Sequence, residues 1–240
     1  MLKDVACVLA ISTRSLIYLQ ALVENELIPE KCLILCKNEE EIYKHFIVET
    51  SVKQYDYVDL CDTIGSILER NQVDYTILET EDINSELAYT YLSKLPQKYI
   101  IYSGYGGCIL QEHLFSIDKN WLHVHAGKLP EYRGSTTAYY SLLSENVISA
   151  TAIFLTPNID DGNIVCSGTY EFPDEEINVD YLYEPYIRAQ VLVKALSIYV
   201  KKGTFNEIEQ VNEKAETYYI IHPVLKHIAL LKLEKNKRRI

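Results

Sequence analysis

Two of the chain's six histidines, His123 and His125, stand two residues apart. They close the apolar run Trp121–Val124 and lead into a loop that carries Lys128, Pro130, Arg133 and Gly134. Residues two apart on a strand project to one face, so both imidazoles can address one pocket. The nearest downstream carboxylates in a turn are Asp160 and Asp161, within PNIDDGN. A carboxylate beside an imidazole raises its basicity and fixes its tautomer. That combination makes a general base, with donors available for a developing oxyanion. The same residues fit two other readings. His123, His125 and Asp160 are a possible zinc or iron ligand set, as in a metal-dependent hydrolase. They are equally residues that end a strand with their polar atoms satisfied and no chemical role. Spacing does not separate these three.

The elements that must position these side chains follow from the hydrophobic pattern. Short runs rich in Val, Ile and Tyr predict strands at Val5–Ile11, Cys32–Cys36, Tyr75–Leu78 and Tyr99–Tyr102. Helical patterns lie between them near Arg14–Asn25, Asp56–Asn71 and Asn84–Leu95. Strands alternating with helices of this length imply parallel βαβ crossovers and a mostly parallel, doubly wound, Rossmann-like α/β sheet flanked by helices. In such sheets ligands bind beyond the carboxyl ends of the strands, where the strand order reverses. His123 and His125 lie near such an end, and so does Ser103–Gly107, SGYGG, whose glycines permit close backbone approach. It lacks the full GxGxxG spacing, so a nucleotide cofactor is not indicated.

Further along, Thr136–Ser144 reads as a helix, and Ala150–Leu155 and Asn163–Tyr170 as two strands joined by the PNIDDGN turn. A long helix starts at Pro185 and stops at Gly203. Its apolar residues Tyr186, Ala189, Val193, Leu196 and Val200 form one stripe, expected to pack on the chain's own sheet, with a homodimer seam as the alternative. YYIIHPVLKHIALLK reads as a short strand and a closing helix. The expected organisation is one α/β domain over residues 1–203 with a small C-terminal extension, 204–240, packed on it.

Composition narrows the function classes. A net charge of −11 argues against a nucleic-acid partner, whose phosphates are bound by clustered Lys and Arg. No apolar run approaches bilayer-spanning length, and the start MLKDVACVLAIS is interrupted by Asp4, so no secretory signal and no membrane partner are expected. The expected setting is the cytoplasm. The six cysteines lack paired metal-ligand spacing and read as buried free thiols; no bound metal is expected.

The loop after the histidine pair carries a resemblance. The chain reads HVHAGKLPEYRGSTTAYY and later SATAIFLTPNIDDGNI. This is similar to the Asn-x-His, Leu-Pro-x-x-Arg-Gly and Asp-x-Gly-x-Ile pattern of the folate-dependent formyltransferases, over roughly Val5–Gly168, and SGYGGCIL resembles the loop before their catalytic strand. The resemblance implies His125 and Asp160 as catalytic histidine and aspartate, with Asp161 on the variable position. His123 stands where the family has asparagine, the amide that helps bind the oxyanion. The resemblance further implies 10-formyltetrahydrofolate as cosubstrate. Its pteridine would be held by backbone around Gly106, Ile109, Asn158, Ile159, Asp161 and Gly162. Tyr105, Lys128 and Arg133 are then expected near the substrate. Departures are Ala126-Gly127-Lys128, where the family more often has Pro-Ser-Leu, and Ser12-Thr13-Arg14, which replaces a glycine after the first strand.

The implied acceptor is the primary amine of a small molecule. The acidic chain and the short stretch after Gly168 argue against methionyl-tRNA, and the nearest likeness is to the sugar N-formyltransferases, so a nucleotide-linked amino sugar is expected. A homologue that kept the fold without catalysis, or with altered specificity, is the alternative that His123 raises. Arg188 on the long helix is expected either to reach a phosphate or to form a surface ion pair.

Overall fold

In the computed structural model of the protein, residues 1–48, 55–171, 177–211 and 215–237 are described, with side chains to residue 233. The first strand, β1 (Leu2–Ala10), runs into α1 (Thr13–Glu24), which Ser12 caps by accepting the Ser15 N–H at 3.2 Å. Then come β2 (Pro29–Cys36), α2 (Ile64–Arg70), β3 (Asp74–Glu79), α3 (Glu86–Lys94) and β4 (Tyr99–Ser103). The expected helix over 56–71 begins only at Ile64. Before it, Asp59 and Asp62 accept backbone N–H bonds from Cys61 and Thr63, and this competition holds the chain in turns until Thr63 caps the helix.

The second half consists of α4 (Glu112–Phe115), β5 (Asn120–His125), β6 (Tyr132–Gly134), α5 (Thr137–Glu145), β7 (Val147–Phe154), β8 (Ile164–Glu171), α6 (Glu184–Lys202), β9 (Glu216–Tyr218) and α7 (Pro223–Lys237). The main sheet has seven strands in the order β3-β2-β1-β4-β5-β7-β8. Pairings from β3 to β5 are parallel, and β7 and β8 add antiparallel. This is the mostly parallel Rossmann-like sheet expected. The central strands are buried on both faces. Val5 to Ala10 are all inaccessible, which fits their unbroken apolar sequence.

Helix α6 differs from the expected stripe. Ile187, Ala189, Val191, Leu192, Ala195 and Leu196 are buried, whereas Val200 is exposed. The helix is wedged between α1 and strands β7 and β8, so it buries a wider arc than one seam. Gly203 ends it in the left-handed region, φ 73°. Beyond it Phe205 returns to the core against the rings of Tyr99, Phe154 and Tyr199. No helix among the described residues is long and apolar enough to cross a membrane.

A second, two-stranded sheet was not legible in the pattern. Strand β6, three residues of the loop after the histidines, pairs in parallel with β9 from near the C-terminus. Gly134 allows this contact: its φ is +97°, and a Cβ there would fall 2.1 Å from the Tyr218 carbonyl oxygen. The rings of Tyr132 and Tyr140 pack on Tyr218.

Candidate active site

The strand order reverses between β1 and β4, so a crevice opens at the carboxyl ends of the central strands. His123 and His125 terminate β5 there. A cleft of about 510 Å³, open to solvent, is lined by Tyr102, Ile109, His123, Asn158, Ile159 and Asp160, among others.

His125 is 5% exposed. Its Nδ1 lies 3.3 Å from Asp160 Oδ2, and its Nε2 lies 2.7 Å from the Tyr132 carbonyl oxygen. Both ring nitrogens therefore face acceptors. A neutral imidazole has one N–H. The shorter contact assigns it to Nε2, which donates to Tyr132, and leaves the Nδ1 lone pair against the carboxylate. A proton taken up at Nδ1 lies between imidazole and carboxylate, so the two groups act as one acid–base unit. Burial pushes His125 below the ordinary imidazole range, and the Asp160 charge partly offsets it. Of the pair, Asp160 lines the cleft.

Asp160 sits in a turn with φ +50°, left-handed backbone that aspartate tolerates at some cost. Its Oδ2 also accepts the Gly134 N–H at 2.8 Å. The turn passes against β7, where a Cβ on Gly162 would come within 1.6 Å of the Phe154 carbonyl oxygen, so only glycine fits there. These contacts explain Arg-Gly and Asp-x-Gly as one physical unit: each glycine removes a side chain where two backbones must touch.

His123 is held differently. Its Nδ1 lies 3.1 Å from the Tyr102 carbonyl oxygen, so that nitrogen carries the proton and donates. Its Nε2 accepts from Arg188 Nη2 at 3.3 Å. Burial, then Arg188, then Arg14 hold the imidazole well below its ordinary range. His123 is thus neutral with both nitrogens occupied, and in this arrangement it offers the cleft no N–H. This differs from the oxyanion donor expected of it, because a ring has one N–H where an amide has two. Arg188 forms the expected ion pair, but buried rather than on the surface. It is 5% exposed and pairs with Glu184 at 2.8 Å.

The other expected site residues divide into two groups. Ile109, Asn158 and Ile159 line the cleft, with Ile109 61% and Ile159 53% exposed. Asp161 and Gly162 continue the Asp160 turn. The expected substrate contacts spend their polar ends on the protein itself. Tyr105 donates to the Leu35 carbonyl at 3.1 Å, Lys128 pairs with Glu131 at 3.1 Å, and Arg133 pairs with Asp161 at 2.7 Å. Gly106 lies outside the cleft lining, in open space.

No family profile matches the chain. The methionyl-tRNA formyltransferase of Finegoldia magna is 29% identical over 140 residues, 57% of this chain and 45% of that protein. The chain thus spans less than half the length of that curated relative. Among solved structures, a sugar N-formyltransferase from a Shewanella species superposes with a TM-score of 0.59 at 14% identity, covering 95% of this chain and 87% of that one. The N-formyltransferase of Helicobacter canadensis, solved with folinic acid and dTDP-3-aminofucose, gives a TM-score of 0.57 at 16% identity, covering 91% and 71%. The chain has the formyltransferase fold. In this chain His125, at the end of β5, and the Asp160 turn come together beside the cleft.

Among the described residues no three His, Cys, Asp or Glu side chains are grouped to hold an ion. His123 also presents Nε2 to a guanidinium, whose charge repels a cation. Sequence reasoning missed Arg14 as part of the site. The residue that replaces the glycine after β1 donates through Nε to Ser103 Oγ at 3.1 Å and through Nη2 to the Gly104 carbonyl. Burial beside Arg188 brings its pKa down to about 10. An arginine in an apolar helix start is a signal that could have been read, since Lys and Arg are rarely buried without partners.

Proposed function

We propose that the protein transfers a formyl group from 10-formyltetrahydrofolate to the primary amine of a small substrate, a nucleotide-linked amino sugar. The observation that carries this reading is the His125–Asp160 contact beside the cleft. The residues present fit a flat, partly polar ring. Ile109, Leu110, Leu155 and Ile159 supply apolar walls, and the exposed faces of Ile109 and Ile159 have surface to bury.

When bound, the cosubstrate supplies an electrophilic formyl carbon. The chain's own residues handle the proton. An amine attacks only with its lone pair free and must shed a proton as the new C–N bond forms; the donor's own formyl C–N bond would then break, and the proton held by His125 and Asp160 would pass to the departing folate nitrogen. Asp160 faces the cleft and receives that proton together with His125, which settles it between Nδ1 and the carboxylate. The Tyr132 carbonyl holds the far side of the ring, so the imidazole stays aimed while its charge changes. Catalysis of this kind is worth about 10²–10⁴-fold.

The acceptor rests on thinner ground. The sugar N-formyltransferases share the fold over nearly the whole chain. The net charge of −11 favours a small acceptor over a tRNA. The curated relatives are methionyl-tRNA formyltransferases, which makes charged tRNA the competing acceptor. The test is a mass-spectrometric screen with 10-formyltetrahydrofolate and a panel of free amino sugars, nucleotide-linked amino sugars and methionyl-tRNA. A formylated sugar nucleotide is expected. Formylation of the tRNA alone would replace the acceptor, and no transfer to any member would remove the reading.

A further inference from the structure

Gln210 lies in the segment after α6, outside any helix or strand and outside every motif. It is nonetheless 8% exposed, and its amide is fully used. Nε2 donates to the Asp160 carbonyl at 2.9 Å and to the Gly162 carbonyl at 2.7 Å. Oε1 accepts from Arg133 Nη2 at 2.8 Å, and the same guanidinium nitrogen lies 2.7 Å from Asp161 Oδ1. One side chain therefore bonds both carbonyls flanking the Asp-x-Gly turn and ties that turn to the loop bearing Arg133 and Gly134.

This placement has a mechanical consequence. Asp160 adopts left-handed backbone, φ +50°, which a non-glycine residue keeps only when its surroundings impose it. Relaxation toward the right-handed or extended regions would swing the carboxylate away from His125. Two donated hydrogen bonds, to the Asp160 carbonyl and to the Gly162 carbonyl two residues on, pin the turn and oppose that rotation. Ile208, two residues earlier, pairs with Ile164 through two backbone hydrogen bonds of 2.8 Å, so Gln210 is itself anchored to the start of β8.

We propose that Gln210 is a positioning residue, which holds the Asp160 turn so that the carboxylate stays against His125. The role in turnover rests on the formyl-transfer reading; the role in the resting pair does not. It places an essential contact of the site in the C-terminal segment.

The test uses the full chain and reads His125 directly, by nitrogen-15 NMR titration of the imidazole. Asp160 draws the His125 pKa upward. Gln210→Met keeps side-chain bulk but donates nothing, so the His125 midpoint is expected to fall by about one unit. Gln210→Glu provides a second variant that can still accept from Arg133 while losing both donations. It is expected to release the turn as well, seen as loss of the Nδ1 resonance position typical of the carboxylate-bound ring. In an Asp160→Asn background, Gln210→Met is expected to leave the midpoint unmoved, since nothing remains to position. For turnover, kcat is expected to drop about tenfold with the KM for the amine unchanged. An unmoved midpoint in folded Gln210→Met, or an equal shift in the Asp160→Asn background, would overturn the proposal. A shifted midpoint in a protein that formylates no amine would leave Gln210 in place and remove the formyl-transfer reading alone.

Discussion

Asp160 Oδ2 accepts the Gly134 N–H at 2.8 Å and lies 3.3 Å from His125 Nδ1, so one carboxylate oxygen joins three chain segments. Because it is shared between a fixed backbone donor and a titrating ring, the charge on the ring can change without the carboxylate moving. Asp160→Asn removes the charge and keeps the shape. Formyl transfer is expected to fall about 10²–10⁴-fold with near-native unfolding midpoints. Steady-state kinetics beside urea denaturation would check this, and activity within twofold of the parent would refute the assigned role.

Acid stability should report the two desolvated imidazoles, buried His125 and half-buried His123. Burial lowers both pKa values below the ordinary 6.5, so the unfolded chain binds protons first as pH falls. Their contribution to stability is complete above about 6.5 and declines below it, until pH reaches the folded-state values. Each histidine steepens the loss by about 1.4 kcal/mol per pH unit in that window. His123→Asn removes one of them. Urea unfolding at pH 7.5 and 5.5 should therefore show a shallower acid loss in the variant than in the parent, and equal slopes would contradict the burial argument.

Arg188→Met tests the pairing behind His123. The substitution leaves the Glu184 carboxylate, partly buried, without its cation. Removing one member of a buried pair costs about 3–5 kcal/mol. With the guanidinium gone, the His123 pKa is expected to rise, because Arg188 is the largest charge holding it down. Chemical denaturation and an NMR titration measure the two effects; a neutral ΔG together with an unmoved His123 would show that the contact carries no energy.

Ile109→Asp and Ile159→Asp address the cleft. Both side chains are more than half exposed, so their replacement should alter folding stability by no more than about 0.5 kcal/mol. Burying the exposed half of such a side chain under a ligand contributes about 1–2 kcal/mol. Reduced-folate affinity, measured by calorimetry, is therefore expected to fall about fivefold to thirtyfold in each variant. Unchanged affinity in both would move the cosubstrate out of this cleft.

The sequence by itself determined the sheet and where its chemistry must lie. Apolar runs such as Val5–Ala10 cannot be solvated, and their alternation with helices leaves a parallel, doubly covered sheet as the way to bury them. The spacing of His123 and His125, and of Asp160 and Gly162, was legible because strand ends and glycine turns are local properties. Tertiary structure alone decided which nitrogen faces what. The pairing of His123 with Arg188 spans two elements far apart in the chain, and no periodicity marks a single buried cation. Gln210 was invisible for the same reason: an isolated glutamine in an irregular segment carries no pattern, and its role exists only once Asp160, Gly162 and Arg133 surround it. A short strand was legible at Tyr218, but β6 and its pairing with β9 were hidden, since so short a pairing is stabilised by what it packs on rather than by its own residues.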